Sequence, residues 1–140
     1  MSEIIIRRTT EDNENIGVFL NEGFTRYGEQ NGVALNYDDF CFVAEDDNGI
    51  IAGVITGRAY YNEVHVGDLI VGEGYRGSGL GSQLVTTVED AYRGKGYEVI
   101  TLTTFGFQAP EFYIKLGYTV EFIRREKDPK LNKYFFRKGL

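Results

Sequence analysis

A chain of 140 residues with one cysteine, eighteen glycines and two prolines fits one domain spanning residues 1–140, large enough for a core without disulfide or metal staples. A formal net charge of −6 argues against a nucleic-acid partner and favours cationic ones such as amines. No apolar run reaches the roughly 18 residues of a membrane span, Met1-Ser2-Glu3 does not open a signal peptide, and a lone thiol makes a reducing cytoplasm the expected location.

Residues 3–8 (EIIIRR) read as a short strand. Thr9 or Thr10 can cap a first helix, with Glu11 and Asp12 at the positive end of its dipole and Ile16, Phe19 and Leu20 as its inner face. Over 21–38, Phe24 and Tyr27 are helically spaced while Gly23, Gly28 and Gly32 interrupt; a short second helix or a mobile loop is expected there. Residues 40–45 and 50–60 are apolar and β-branched. Between them Asp47-Asn48-Gly49 signals a hairpin, because an Asn-Gly turn holds both central residues at φ > 0. Cys41, alternating within the first of these strands, reads as a small buried hydrophobe. Residues 62–71 follow closely enough to pair as the next antiparallel strand.

A glycine-dense run then opens an amphipathic helix that starts near Ser78 or Gly79. Leu80, Leu84, Val88 and Ala91 recur at helical spacing, and Val85 and Tyr92 widen the stripe. Arg93-Gly94-Lys95-Gly96 gives a basic last turn and a stop. Residues 99–103 form a buried strand reached by a strand–helix–strand crossover, hence parallel to the strand ending at Val71. Pro110 opens a short helix and Gly117 caps it. Residues 118–123 and 134–137 close the sheet, joined by a charged turn at 127–130. The fold class is α/β with a mixed sheet: antiparallel N-terminal strands, one parallel crossover carrying the glycine loop, and an antiparallel C-terminal pair.

Glycines let a backbone turn tightly against a ligand, and a helix N-terminus offers unpaired N–H groups and a positive dipole end to a phosphate. The run from Gly72 to Gly81 thus reads as a diphosphate cradle. Gly72-Glu73-Gly74-Tyr75-Arg76-Gly77 formally fits a G-x-G-x-x-G dinucleotide fingerprint, with Glu98 about 20 positions on. That reading would start the helix among glycines, at about 1 kcal/mol each, and it expects a wholly parallel sheet. A P-loop is excluded because no Gly-Lys-Ser/Thr closes the run. Glu73 would repel a phosphate and is expected to face solvent.

The better match is Arg76-Gly77-Ser78-Gly79-Leu80-Gly81, which resembles the Q/R-x-x-G-x-G/A loop of the GNAT superfamily of N-acetyltransferases. A second match, Ala109-Pro110-Glu111-Phe112-Tyr113-Ile114-Lys115-Leu116-Gly117-Tyr118, resembles the family's A-x-x-F-Y-x-x-x-G-F/Y segment. Two motifs in the family's order make a strong signal, clear over residues 40–125. The resemblance implies an enzyme that moves an acetyl group from acetyl-CoA, as co-substrate, to a primary amine by direct attack in a ternary complex. It implies that main-chain groups of Arg76, Gly77, Ser78, Gly79, Leu80, Gly81 and Ser82 grip the diphosphate. Main-chain groups of Leu69 and Val71 would pair with the pantetheine arm, with an N–H near Leu69 or Ile70 facing the thioester oxygen, and Gln108 would reach the arm.

Tyr113, at the motif tyrosine, is the candidate acid for the leaving thiolate, since a phenol is protonated at neutral pH. His65 is the candidate base. Strand alternation places it, with Glu63, on the face of Leu69 and Val71; Glu63, Asp68 or a water chain are the alternatives. Phe105 and Phe107, with Phe24, Tyr27 and Tyr37, are candidate acceptor walls. A small-molecule amine is the expected acceptor, with a protein amine also open; neither nucleic acid nor membrane is expected as a partner. The rival reading is a catalytically silent acyl-CoA-binding sensor or interaction module. Members of the family often form homodimers, and no feature of this sequence decides that point.

Overall fold

The computed structural model describes residues 3–10 and 12–140. They divide into two units, one ending at Leu35 and one beginning at Asn36. In the first, α1 (Glu14–Gln30) is one continuous helix rather than a short helix followed by a second element. Its cap is Asn13, whose side chain accepts the Asn15 N–H at 2.9 Å, not Thr9 or Thr10. At the other end Asn31 Nδ2 donates to the Tyr27 carbonyl at 2.9 Å and the Val33 N–H to that of Gly28 at 2.7 Å. With both ends closed, the helix carries Gly23 at a cost of about 1 kcal/mol. Glu11, expected in the opening turn, lies outside the described residues. The strand expected at residues 3–8 is not formed. Three isoleucines favour extended backbone, but a strand exists only where another lends it a hydrogen-bonded ladder.

The second unit is built on a six-stranded sheet. Its strands are β1 (Asp38–Glu45), β2 (Ile51–Tyr60), β3 (Glu63–Val71), β4 (Val99–Phe105), β5 (Thr119–Arg124) and β6 (Lys133–Gly139), in the order β1-β2-β3-β4-β6-β5. Only β3 and β4 are parallel, joined through α2 (Leu80–Tyr92); α3 (Pro110–Lys115) lies between β4 and β5 in the chain. This mixed topology is the expected one, and it removes the dinucleotide reading, which needs a parallel sheet. One face of the sheet holds the core, in which Leu84, Val85, Val88 and Tyr92 of α2 join Ile55, Val64, Ile100 and Phe136. At about 25 cal/mol per Å² of apolar area, this face supplies most of the driving force for folding.

Two turns depart from expectation. In the β1–β2 hairpin only Gly49 has positive φ (77°); Asn48 does not. The Asp46 carboxylate accepts the Asn48 and Ile50 N–H groups, each at 2.9 Å, so a side chain closes the turn and an Asn-Gly mirror-image turn is not needed. In the β2–β3 ladder Thr56 faces Asp68 while Gly57 faces Val66, so Gly67 is an extra, unpaired residue. A bulge of this kind shifts the alternation by one. Val64 and Val66 therefore share the core face with Leu69 and Val71, while Glu63 and His65 turn to the opposite face. The expectation that His65 and Glu63 share a face with Leu69 and Val71 is thus overturned. Gly57 sits opposite the bulge, where a Cβ would come within 2.2 Å of the His65 carbonyl oxygen and 2.4 Å of the Phe40 ring. Only glycine fits there.

Cys41 is exposed, not buried. Phe40 is the residue on the core side, and its neighbour points away from it.

Candidate active site

β3 and β4 pair only at Glu63–Val99, Val64–Ile100 and His65–Thr101. Beyond those pairs they separate, while β4 continues along β6 as far as Phe105. A cleft of about 1130 Å³ occupies the gap. Leu69, Ile70 and Val71 line one wall and Leu102, Thr103 and Thr104 the other; Gln108 of the turn after β4 and Phe112 and Tyr113 of α3 close it.

The glycine loop forms the remaining side. After a single 3-10 turn at Glu73–Tyr75, the backbone reverses at Gly79, whose φ of 85° is left-handed and costs an L side chain about 1–2 kcal/mol. Gly79 is also the N-cap of α2. It brings no side chain to the helix end, and no acidic residue stands in the first turn. The first helical bond there runs from the Gln83 N–H to the Gly79 carbonyl at 3.1 Å. The N–H groups of Leu80, Gly81 and Ser82 precede it, and all three residues line the cleft. Such an end binds an anion, so the residues present fit a diphosphate.

Arg76 and Gly77 line the same space, and Arg76 Nε donates to the Val71 carbonyl at 3.1 Å, which ties the loop to the strand end. Ser78 does not line the cleft: its hydroxyl donates to the Tyr75 carbonyl within the loop. Glu73 is exposed, in keeping with the charge argument. Tyr75, which sequence reasoning missed, lines the cleft and donates from its hydroxyl to Asp46 at 3.1 Å. The β1–β2 turn therefore braces the loop. Nothing in the spacing of residues 46 and 75 announces that bond.

Tyr113 owes its position to the end of α3. The N–H of Gly117 bonds the Ile114 carbonyl and that of Tyr118 bonds the Tyr113 carbonyl, both at 3.0 Å. This is a Schellman closure, with Gly117 at the left-handed position (φ 92°) and its usual apolar contact made by Tyr113 and Tyr118, ring centroids 5.9 Å apart. The Tyr113 ring is buried (8% exposed), and burial raises the pKa of its phenol above the ordinary value. It therefore holds its proton well past neutrality while facing the cleft. Gln108 also lines the cleft, but its side-chain oxygen accepts the Phe105 N–H at 2.9 Å and the Thr104 hydroxyl at 3.2 Å, which shapes the turn after β4.

His65 and Glu63 do not line this cleft. The Thr101 hydroxyl donates to Glu63 Oε2 and stands 2.8 Å from His65 Nδ1. A hydroxyl has one proton; with that proton given to a carboxylate, Thr101 accepts from Nδ1–H. Neutral His65 is then the Nδ1–H tautomer, with a free lone pair on Nε2. Thr101 was not anticipated, because the register of a parallel pair cannot be read from sequence. His65 opens into a second pocket of about 530 Å³, on the other face of the sheet, that shares Gly67 with the cleft. Tyr37 lines this second pocket and Phe107 the cleft, so these two do not wall one acceptor site. Phe105 stacks on Phe107 at 6.1 Å between centroids.

A mixed sheet opened between its two parallel strands, with a helix N-terminus and a buried tyrosine at the opening, defines a site of the anion-binding class. The sequence profile of the acetyltransferase (GNAT) family matches residues 7–118, and the chain belongs to that family. It is 38% identical over 73 residues to blasticidin-S acetyltransferase of Streptomyces morookaense, covering 51% of this chain and 54% of that one. The chain spans about half the length of the curated relatives it matches. A crystal structure of an acetyltransferase from Bacillus cereus is similar at a TM-score of 0.77 and 29% identity, over 96% of this chain and 98% of that one. A family acetyltransferase from Elizabethkingia anophelis with acetyl-CoA bound shares the fold at a TM-score of 0.60 and 16% identity, over 71% of this chain and 75% of that one.

Proposed function

We propose that residues 1–140 act as one N-acetyltransferase domain that carries an acetyl group from acetyl-CoA to a primary amine in a ternary complex. The observation that carries this reading is convergence: the N-terminus of α2, the open edge of β3 and the Tyr113 hydroxyl all meet in one cleft. The N–H groups of Leu80, Gly81 and Ser82, with Arg76, Gly77 and Gly79 beside them, would hold the diphosphate, and the main chain of Leu69 and Val71 would hold the pantetheine arm. Bound there, the cofactor supplies a thioester that an amine nitrogen can attack, forming the C–N bond as the C–S bond breaks.

This chain's residues manage the protons. His65, which opens into the second pocket rather than the cleft, accepts one at Nε2 from an amine that enters by that pocket, where the two spaces meet at Gly67. Thr101 and Glu63 steady the imidazolium. Tyr113 gives its proton to the departing sulfur. An N–H of Leu69 or Ile70 meets the oxygen on which charge develops. A small-molecule amine is the expected acceptor.

The test is thiol release from acetyl-CoA across a panel of amines, with mass-spectrometric detection of the acetylated product. Turnover on at least one amine is expected. Tight cofactor binding without turnover on any amine would make the chain a silent acyl-CoA-binding module, and no binding at all would overturn the reading.

A further inference from the structure

The second pocket has its own chemistry. Tyr37, Tyr60 and Tyr61 form a closed triangle there, with ring centroids 5.9 to 6.1 Å apart and interplanar angles of 80°, 64° and 89°. All three residues line the pocket. Tyr61 is the only described non-glycine residue with positive φ (53°), at a turn position that favours glycine. Its peptide is clamped on both sides by Asn36, whose Oδ1 accepts the Tyr61 N–H and whose Nδ2 donates to the Tyr61 carbonyl at 2.9 Å. A tyrosine held where glycine would be easier points to a use for its ring.

The charges in the pocket indicate what that use is. Arg58 is committed: its Nε lies 2.9 Å from Asp39 and its guanidinium stands 5.7 Å from the Tyr37 ring centre. Asp39 thus offsets Arg58, and one tyrosine face already engages a cation. The Glu63 carboxylate does not line the pocket; bonded to Thr101, it stands behind the wall as a further negative charge. It lies near enough to Tyr60 to add to the effect of burial in raising that phenol's pKa. Aromatic faces beside a net negative charge attract an ammonium group.

We propose that this pocket is the acceptor subsite and that it takes a diamine, with one nitrogen presented to His65 and the other, protonated, held against Tyr60 and Tyr61. The proposal rests on the acetyltransferase reading for the fate of the first nitrogen, but not for binding. Calorimetric titration of the full chain without cofactor, using 1,4-diaminobutane and butylamine, tests it directly. The diamine is expected to bind about tenfold tighter. Tyr61→Gly, which suits a φ of 53° and so keeps the turn, should lose about tenfold in diamine affinity while acetyl-CoA affinity stays within twofold. Equal affinity for the two probes, no loss in Tyr61→Gly, or tighter binding of 4-aminobutanoate through Arg58 would each overturn the proposal. If acetyl-CoA fails to bind the unaltered chain, the acetyltransferase reading falls while the diamine titration still decides the pocket.

Discussion

Tyr113 is held by its backbone and freed at its tip. Its carbonyl accepts from Leu116 and Tyr118, its ring packs edge-on against Phe112 and Tyr118, and its hydroxyl faces the cleft. Tyr113→Phe removes the acid and little else. Under the proposed mechanism kcat should fall about 100-fold, with KM for acetyl-CoA within twofold and the melting temperature essentially unchanged, as steady-state kinetics and a thermal melt would show. A comparable loss in KM would instead assign the hydroxyl to cofactor binding. This residue was legible because it stands at the tyrosine of the Ala109–Tyr118 segment, which resembles a motif of the family. The surroundings of His65 were not. Its face depends on whether the strand ahead of the loop carries an extra residue. Gly67 looks like any glycine until Thr56 is seen paired with Asp68 and Gly57 with Val66, leaving Gly67 over between them.

At the scale of elements, α2, α3 and β6 are fastened together by one ion pair whose carboxylate is buried and whose lysine is half-buried. Glu89 of α2 is 5% exposed. It accepts from Lys138 Nζ of β6 at 3.0 Å and from the Tyr118 hydroxyl at 2.8 Å, and Lys138 Nζ also donates to the Leu116 carbonyl at the end of α3, at 2.9 Å. Removing one partner leaves a carboxylate in the core, which is far costlier than never having had the pair. Lys138→Met should therefore lower stability by about 3 kcal/mol in urea denaturation. The double change Lys138→Met with Glu89→Leu should recover much of that loss; if it does not, the pair is more than an electrostatic match. Helices and strands of this unit were readable from their periodicity, within a residue or two at each end. α1 was not, because the glycines within it outweighed, on paper, caps that depend on Asn13 and Asn31. Residues 3–8 show the converse: propensity without a partner makes no strand.

For the molecule as a whole, the tyrosines set the alkaline limit. Burial raises the phenol pKa of Tyr92, Tyr113 and Tyr118, helped at Tyr92 by Asp38 and at Tyr118 by Glu89. Each folded-state pKa lies above its value in the unfolded chain, so the folded form binds more protons wherever the unfolded phenol has begun to ionise. Stability should hold up to about pH 10 and then fall as the pH climbs toward the folded values. Denaturation midpoints measured from pH 8 to 12 check this, and a decline beginning well below 10 would place the sensitive groups elsewhere.

The β1–β2 hairpin, the parallel crossover and the glycine loop ahead of α2 could all be read in the sequence, because each follows from local pattern and handedness. The distance over which β3 and β4 stay together could not, and it shapes the molecule most. With three rungs at one end and none at the other, the sheet is a pair of jaws: β1-β2-β3 on one side, β4-β6-β5 on the other, with α2 as the spring that joins them. A guest laid along the bare edge of β3 stands in for the missing rungs. Under the proposed function, holding that guest and completing the sheet would be the same act.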